Sequence, residues 1–287
     1  MVNAGPHVGG AWGQPIALNG SAVDPGANDQ ATLAYSWDFG DGTLSASGGP
    51  DVIHSYATPG TYSATLTVCD QWGVLQNGCS SATTTVTISK RGVTAAYLGD
   101  TTGTFDTPGS LIASLTDEFG QAVAGRSVSF SVNGVSAGSS TTGAGGTASL
   151  GYTPNLAADS YATGVSFAGD SLYNAASGSG SIAIVQKATA VTYTGAVSGL
   201  PKHTVTLTAL LRDATGKALV GKSITFKLGS QTVSATTDAS GVASASLALA
   251  QKNGSYSVTA TYTPTVADAA FFVGSAASST FIIGNAK

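Results

Sequence analysis

Charge is what this sequence has least of. Only 9 % of its 287 residues are Asp, Glu, Lys or Arg, and Glu118 is the single glutamate. A glycosidase pair would therefore have to be built from aspartates, and no two of them are placed for it. Residues 1–89 hold no Lys or Arg at all, and the basic residues elsewhere are scattered, with neither a run nor interleaved aromatics; this argues against nucleic acid as a partner. No apolar run approaches the ~18 residues of a membrane span. Met1-Val-Asn lacks the basic start and apolar core of a signal peptide. Cysteine is nearly absent too, at two residues, Cys69 and Cys79; with no further Cys and no nearby His they make a poor zinc site.

What is present is Gly, Ser, Thr and Ala in abundance, 42 % hydrophobic residues and a net charge of only −4, a balance that folds rather than stays disordered. The length suits two or three domains. The charge is uneven: −6 over residues 1–89, −3 over 90–186 and +5 over 187–287. That gradient reads either as drift in surface composition or as an acidic cation-binding end opposite a basic end suited to an acidic partner.

Tyr35-Ser-Trp37-Asp-Phe39 alternates aromatic and polar residues, the period of a half-buried strand, and Gly40-Asp41-Gly42 stops it in a turn. His54-Ser-Tyr56, Pro59-Gly60-Thr-Tyr62 and a strand closing on Asp70 come next. In this order the motifs resemble the PKD domain, an immunoglobulin-like module of surface and secreted proteins, and imply a sandwich of about seven strands over residues 1–90. Asp38 and Asp41 are expected to bond their own turn and His54 to pack in the core. Cys69 and Cys79 have outward parity on neighbouring strands of one hairpin, so a disulfide is expected, and with it an oxidising compartment.

Residues 91–186 and 187–287 repeat each other. Asp117-x-x-Gly120 recurs as Asp213-x-x-Gly216, Gly125 as Gly221 and Phe130 as Phe226, all 96 residues on. These positions resemble the bacterial Ig-like repeat, whose motif residues are turn glycines and core alternation and name no active site. The expected fold class is therefore all-β, three tandem immunoglobulin-like sandwiches in an elongated rod. Tyr62, Tyr161 and Tyr256 each open an alternating strand after a turn, the place of a corner tyrosine. The joints Ser89–Gly92 and Val185–Ala188 contain no flexible tract, which limits swing between neighbours.

Few residues suggest chemistry. The resemblance to PKD-like domains implies calcium at the end of the first module where Asn3, Asp24, Asn28, Asp29 and Asp70 converge, an all-oxygen set with no cation in the domain; a solvated acidic loop is the alternative. Gly134-Val-Ser136-Ala-Gly138 matches a nucleophile elbow, but it joins strands, and the only later histidine is His203 in another module. Lys–Asn cross-links are disfavoured by the scarcity of lysine. Asn19 and Asn253 open short glycosylation sequons that arise easily by chance. Trp12 and Trp72 stand among glycines near loops and read either as contacts for a polysaccharide or surface protein or as caps on the core. The sequence thus points away from an enzyme and towards a segment of a longer secreted or cell-surface bacterial protein. Its role is that of a spacer, adhesion stalk or hydrolase tail, with a polysaccharide- or matrix-binding module or a self-assembling fibre as the alternatives.

Overall fold

The computed structural model describes residues 1–23, 33–70 and 78–284, without the side chains of residues 46–48 and Asp70. Asp24, Asn28, Asp29 and Trp72 lie outside the described residues. The chain is all-β, in tandem sandwiches, and its buried apolar residues separate into three clusters spanning residues 4–88, 95–184 and 191–283.

In the first module β1 (Val2–Asn3), β2 (Val8–Ala11), β3 (Pro15–Asn19), β4 (Ser21–Ala22), β5 (Leu33–Asp38), β6 (Leu44–Gly48), β7 (Asp51–Ser55), β8 (Gly60–Asp70) and β9 (Cys79–Ser89) form a main sheet of order β2-β9-β8-β5-β6, faced by the pairs β3-β7 and β1-β4. The second runs β10 (Val93–Tyr97), β11 (Thr102–Thr104), β12 (Gly109–Asp117), β13 (Ser127–Val132), β14 (Val135–Thr141), β15 (Thr147–Tyr152), β16 (Asp159–Phe167) and β17 (Ala176–Val185). Its sheets are β11-β17-β16-β13-β14 and β10-β12-β15. The third, β18 (Thr189–Tyr193), β19 (Ser198–Gly199), β20 (Thr204–Asp213), β21 (Ser223–Leu228), β22 (Gln231–Thr236), β23 (Val242–Ala248), β24 (Gly254–Tyr262) and β25 (Ser275–Ile283), repeats that order strand for strand.

The core strands form because their apolar residues recur every second position and one face is covered. In β12, Leu111, Ala113 and Leu115 are buried; in β20, Leu207, Ala209 and Leu211 are. One short strand in each module, β2, β11 and β19, runs parallel to the last strand and so points at the exit end of its sandwich. In the first two modules the residue after it sits beside the next module, and this places the joints.

The corner tyrosines are built alike. Tyr62, Tyr161 and Tyr256 donate their hydroxyls to the carbonyls of Thr58, Ala157 and Lys252, each four residues back, at 2.8, 2.9 and 2.9 Å. Around the first of them the motif aromatics interlock. Trp37 donates its indole N–H to Pro50 O, His54 stacks on Phe39 at 4.0 Å, and buried Tyr56 bonds Phe39 O. Asp38 accepts from Gly40 N–H, and Asp41 accepts from Thr43 and faces His54 Nε2 at 2.7 Å. Burial pushes the Asp41 carboxyl up, but the bonds from Thr43 and His54 outweigh it and hold the group below its ordinary value. Cys69 and Cys79 are opposite one another in the β8–β9 hairpin and are disulfide-bonded.

Candidate functional site

The most elaborate side-chain constellations stand where one module meets the next, and the two joints are copies of each other. Both begin at the residue following the short parallel strand. Trp12 comes directly after β2, and its backbone N–H bonds Ser89 O; Phe105 comes directly after β11, and its N–H bonds Val185 O. The aromatic ring then lies against a loop of the succeeding module, between the last two strands of that sandwich. Trp12 meets Tyr173 edge-on at 5.5 Å and donates its indole N–H to Leu172 O at 2.7 Å. Phe105 meets Phe271 at 4.7 Å and Phe272 at 5.5 Å.

At the centre of each joint a linker cation reaches both modules, Arg91 at the first and Lys187 at the second. Arg91 N–H bonds Leu172 O and Arg91 O accepts from Asn174 N–H; Lys187 N–H bonds Phe271 O and Lys187 O accepts from Val273 N–H. With the backbone fixed, the side chain reaches in two directions. Arg91 donates Nε–H to Trp12 O at 3.0 Å, places its guanidinium 4.1 Å over the Trp12 ring, and pairs Nη1 with Asp117 Oδ2 at 2.8 Å. Lys187 donates Nζ–H to Asp106 O at 2.7 Å and pairs with Asp213 Oδ2 at 3.0 Å. The Asp117 and Asp213 side chains are each 1 % exposed and that of Lys187 2 %. Each cation thus holds the preceding module by a carbonyl and the succeeding one by a carboxylate.

The aspartates of the repeated Asp-x-x-Gly turns therefore do two jobs. Oδ1 of Asp117 accepts from the N–H groups of Phe119 and Gln121, and Oδ1 of Asp213 from those of Thr215 and Lys217. Oδ2 of each is left for the joint. Burial raises both carboxyls, yet the turn and joint bonds together hold each below the ordinary aspartate value. The residue after the joint aromatic has φ > 0 at both places, Gly13 at +71° and Asp106 at +48°. At Gly13 the left-handed backbone favours glycine, and a Cβ would also stand 2.8 Å from Arg91 Nη2 and displace the guanidinium. The slimmer lysine leaves room for Asp106, whose carboxylate takes Lys217 at 2.9 Å.

Further contacts brace the joints. Lys90 Nζ bonds Asp170 O, Gln186 Nε2 bonds Ala269 O, and Ala158 N–H bonds Ala270 O in a 3₁₀ turn over Asp268–Ala270. Behind each socket Arg126 pairs with Asp170 and Lys222 with Asp268. No motif in the sequence singled out Arg91 or Lys187, although both precede their aspartate by the same 26 positions and repeat at the 96-residue offset.

The other expected site residues are placed differently. Trp12 packs against the first module's core, the second of its two expected readings, and at the joint its N–H, one ring face and one edge are taken. Asn3 Oδ1 accepts from Gly5 N–H at 2.9 Å. The β2–β9 register, Val8 opposite Val86 and Ala11 opposite Ser89, puts the chain start at the sandwich end away from Lys90. The Asp70 backbone, paired with Leu33, lies at the same end as Cys79. Among the described residues no three His, Cys, Asp or Glu side chains converge on a common point; Asp24, Asn28, Asp29 and the Asp70 carboxylate are not among them. Ser136 lies in β14 of a β-hairpin, opposite Ser131, rather than at a strand-to-helix elbow.

Residues 1–88 match the PKD domain family model and are a PKD domain. Among solved structures the chain is similar to part of a 1.5-MDa bacterial ice-binding adhesin, at 16 % identity over 94 % of this chain and 91 % of that one, with a TM-score of 0.31. It is similar to a Ca2+-stabilised adhesin with which an Antarctic bacterium binds ice, at 17 % identity over 95 % and 69 % of the two chains and a TM-score of 0.30. It is also similar to the Yersinia pseudotuberculosis adhesin InvE, at 15 % identity over 66 % and 58 %, TM-score 0.30.

Proposed function

We propose that this chain is a non-catalytic, stiff segment of an extracellular or cell-surface bacterial protein, a stalk that sets the distance between the domains attached at its two ends. The PKD domain supports the setting. The observation that carries the mechanical role is the duplicated joint, where a cation, buried at Lys187 and partly buried at Arg91, bonds a carbonyl of one neighbour and pairs with a carboxylate of the other. Modules joined by ordinary linkers move relative to one another by default. Here an aromatic wedge stops bending towards the socket, and the cation, anchored in the succeeding module by its backbone and its carboxylate, stops the modules from parting, since separation would break its bond to the Trp12 or Asp106 carbonyl. The disulfide supports an oxidising compartment. A spacer in an adhesin and a tail on a secreted hydrolase call for the same mechanics, and the choice between them rests with the attached domains.

Small-angle scattering tests the proposal. The intact chain is expected to give one narrow, elongated distance distribution. Changing Arg91 and Lys187 together to Ser is expected to broaden it towards bent shapes while each module keeps its fold. A wild-type distribution already as broad as the variant's would overturn the stalk reading.

A further inference from the structure

The second and third modules differ where the β-hairpin near one end faces the loop after the third core strand. In the third module two glutamines close the gap. Gln231 donates Nε2–H to Ala248 O at 2.8 Å, while its Oε1 accepts from Ala250 N–H at 2.9 Å. Gln251 donates Nε2–H to Leu228 O at 2.7 Å. One carboxamide thus reads a carbonyl and an N–H that lie side by side along one stretch of backbone.

The second module keeps the backbone and lacks the amides. Hairpin pairing sets Val132 and Val135 in the places of Leu228 and Gln231. The bonds Asp106 N–H to Pro154 O and Lys202 N–H to Leu249 O set Thr153 and Asn155 in the places of Ala248 and Ala250. The corner tyrosines set Leu156 in the place of Gln251. Neither Val135 nor Leu156 can bond these groups. Among the described residues no side chain bonds Thr153 O, Asn155 N–H or Val132 O. What results is a groove of about 390 Å³ walled by Val135, Ser136, Tyr152 and Leu156, with the same donor and acceptor at its side.

We propose that this groove is a binding site for a primary carboxamide, namely the glutamine side chain of a partner polypeptide. The internal copy shows the fit, and the chemistry narrows it. A primary amide presents C=O and a syn N–H on one edge, matching Asn155 N–H and Thr153 O. A secondary amide such as an acetamido sugar is trans, with the two groups on opposite edges, so it satisfies one of them and not both. A carboxylate supplies acceptors only and leaves Thr153 O unpaired. Tyr152, Leu156 and Val135 form the apolar walls for the methylenes of the glutamine stem.

The test is a two-dimensional NMR titration of the whole chain with acetyl-Ala-Gln-Ala-amide, set against the same peptide carrying Glu, the peptide carrying side-chain N-methylated Gln, and N-acetylglucosamine. The expected result is a shift of the Asn155 N–H and its neighbours by the Gln peptide alone, with a dissociation constant on the order of millimolar, as a few solvated hydrogen bonds allow. Val135→Gln is expected to abolish the shift and to raise the melting temperature of the second module by filling the groove as the third module does. No shift up to about 50 mM peptide, far above any useful affinity, would overturn the proposal. So would equal shifts by the Glu or N-methyl peptides, or binding undiminished in a folded Val135→Gln chain. A shift by N-acetylglucosamine alone would replace it with a sugar site. If the variant fails to fold, the Gln, Glu and N-methyl comparison on the unaltered chain decides alone.

Discussion

Asp117 and Asp213 show how one side chain serves two levels of organisation. Their spacing to glycine is readable as a turn, and Oδ1 does bond that turn. What Oδ2 bonds is not readable, because its partner lies 26 positions upstream, with several strands between them. Removing one member of such a pair strands a buried charge, so Lys187→Met is expected to lower stability by about 3–5 kcal/mol, read by chemical denaturation; a loss below about 1 kcal/mol would mean that Asp213 is solvated after all. Acid acts on the same carboxylates. Their pKa values are depressed in the folded state, so their stabilisation is complete above the ordinary aspartate value of 3.8 and is lost as pH falls through the folded values. Melting temperature should hold from neutral pH down to about 4 and drop below it. Replacing Asp117 with Asn is expected to flatten that drop in the second module. Tyr161→Phe, which deletes only the hydroxyl bond to Ala157 O, should cost about 1 kcal/mol in denaturant titration.

At the scale of strands and hairpins much more was legible. Aromatic and apolar residues recur at every second position, and burial of one face makes that alternation decisive. The corner tyrosines announce themselves because a local bond four residues long needs no distant partner. Cysteine parity worked for a similar reason, since positions 69 and 79 belong to one antiparallel ladder. Trp12 stayed open between a ligand contact and a cap on the core, because flanking glycines say that a loop is near and nothing about what packs on it; in the structure it packs against the first module's core. Reducing the disulfide is expected to lower the first module's stability by about 2–3 kcal/mol, the loop entropy of so short a bridge, and to leave the other two transitions where they were; calorimetry with and without reductant reads this directly. The calcium implied by the PKD resemblance remains a proposal, for the end of the first module opposite Lys90. Calcium against chelator is expected to raise the first transition alone, and Asp70→Ala to remove that rise. An unchanged transition at millimolar calcium leaves a solvated acidic loop.

For the whole molecule, the joints invert the expectation that connectors are passive. Ser89–Gly92 and Val185–Ala188 are short, as the sequence shows, but shortness only limits reach; in the proposed stalk the stiffness comes from Trp12, Arg91 and Tyr173, and from Phe105, Lys187 and Phe272. The geometry of the first joint also sets a timetable. Trp12 waits for a carbonyl 160 residues further along the chain. A polypeptide crossing a membrane amino end first would complete its first sandwich at Ser89 and still travel with that indole uncovered until residue 173 emerged. In an exported stalk of the proposed kind, rigidity would arrive one module late, travelling behind the point of export like a zip closing in the wake of its slider. A chain ending before residue 168 should show Trp12 emission shifted to the red and quenched by iodide, and the full chain should not.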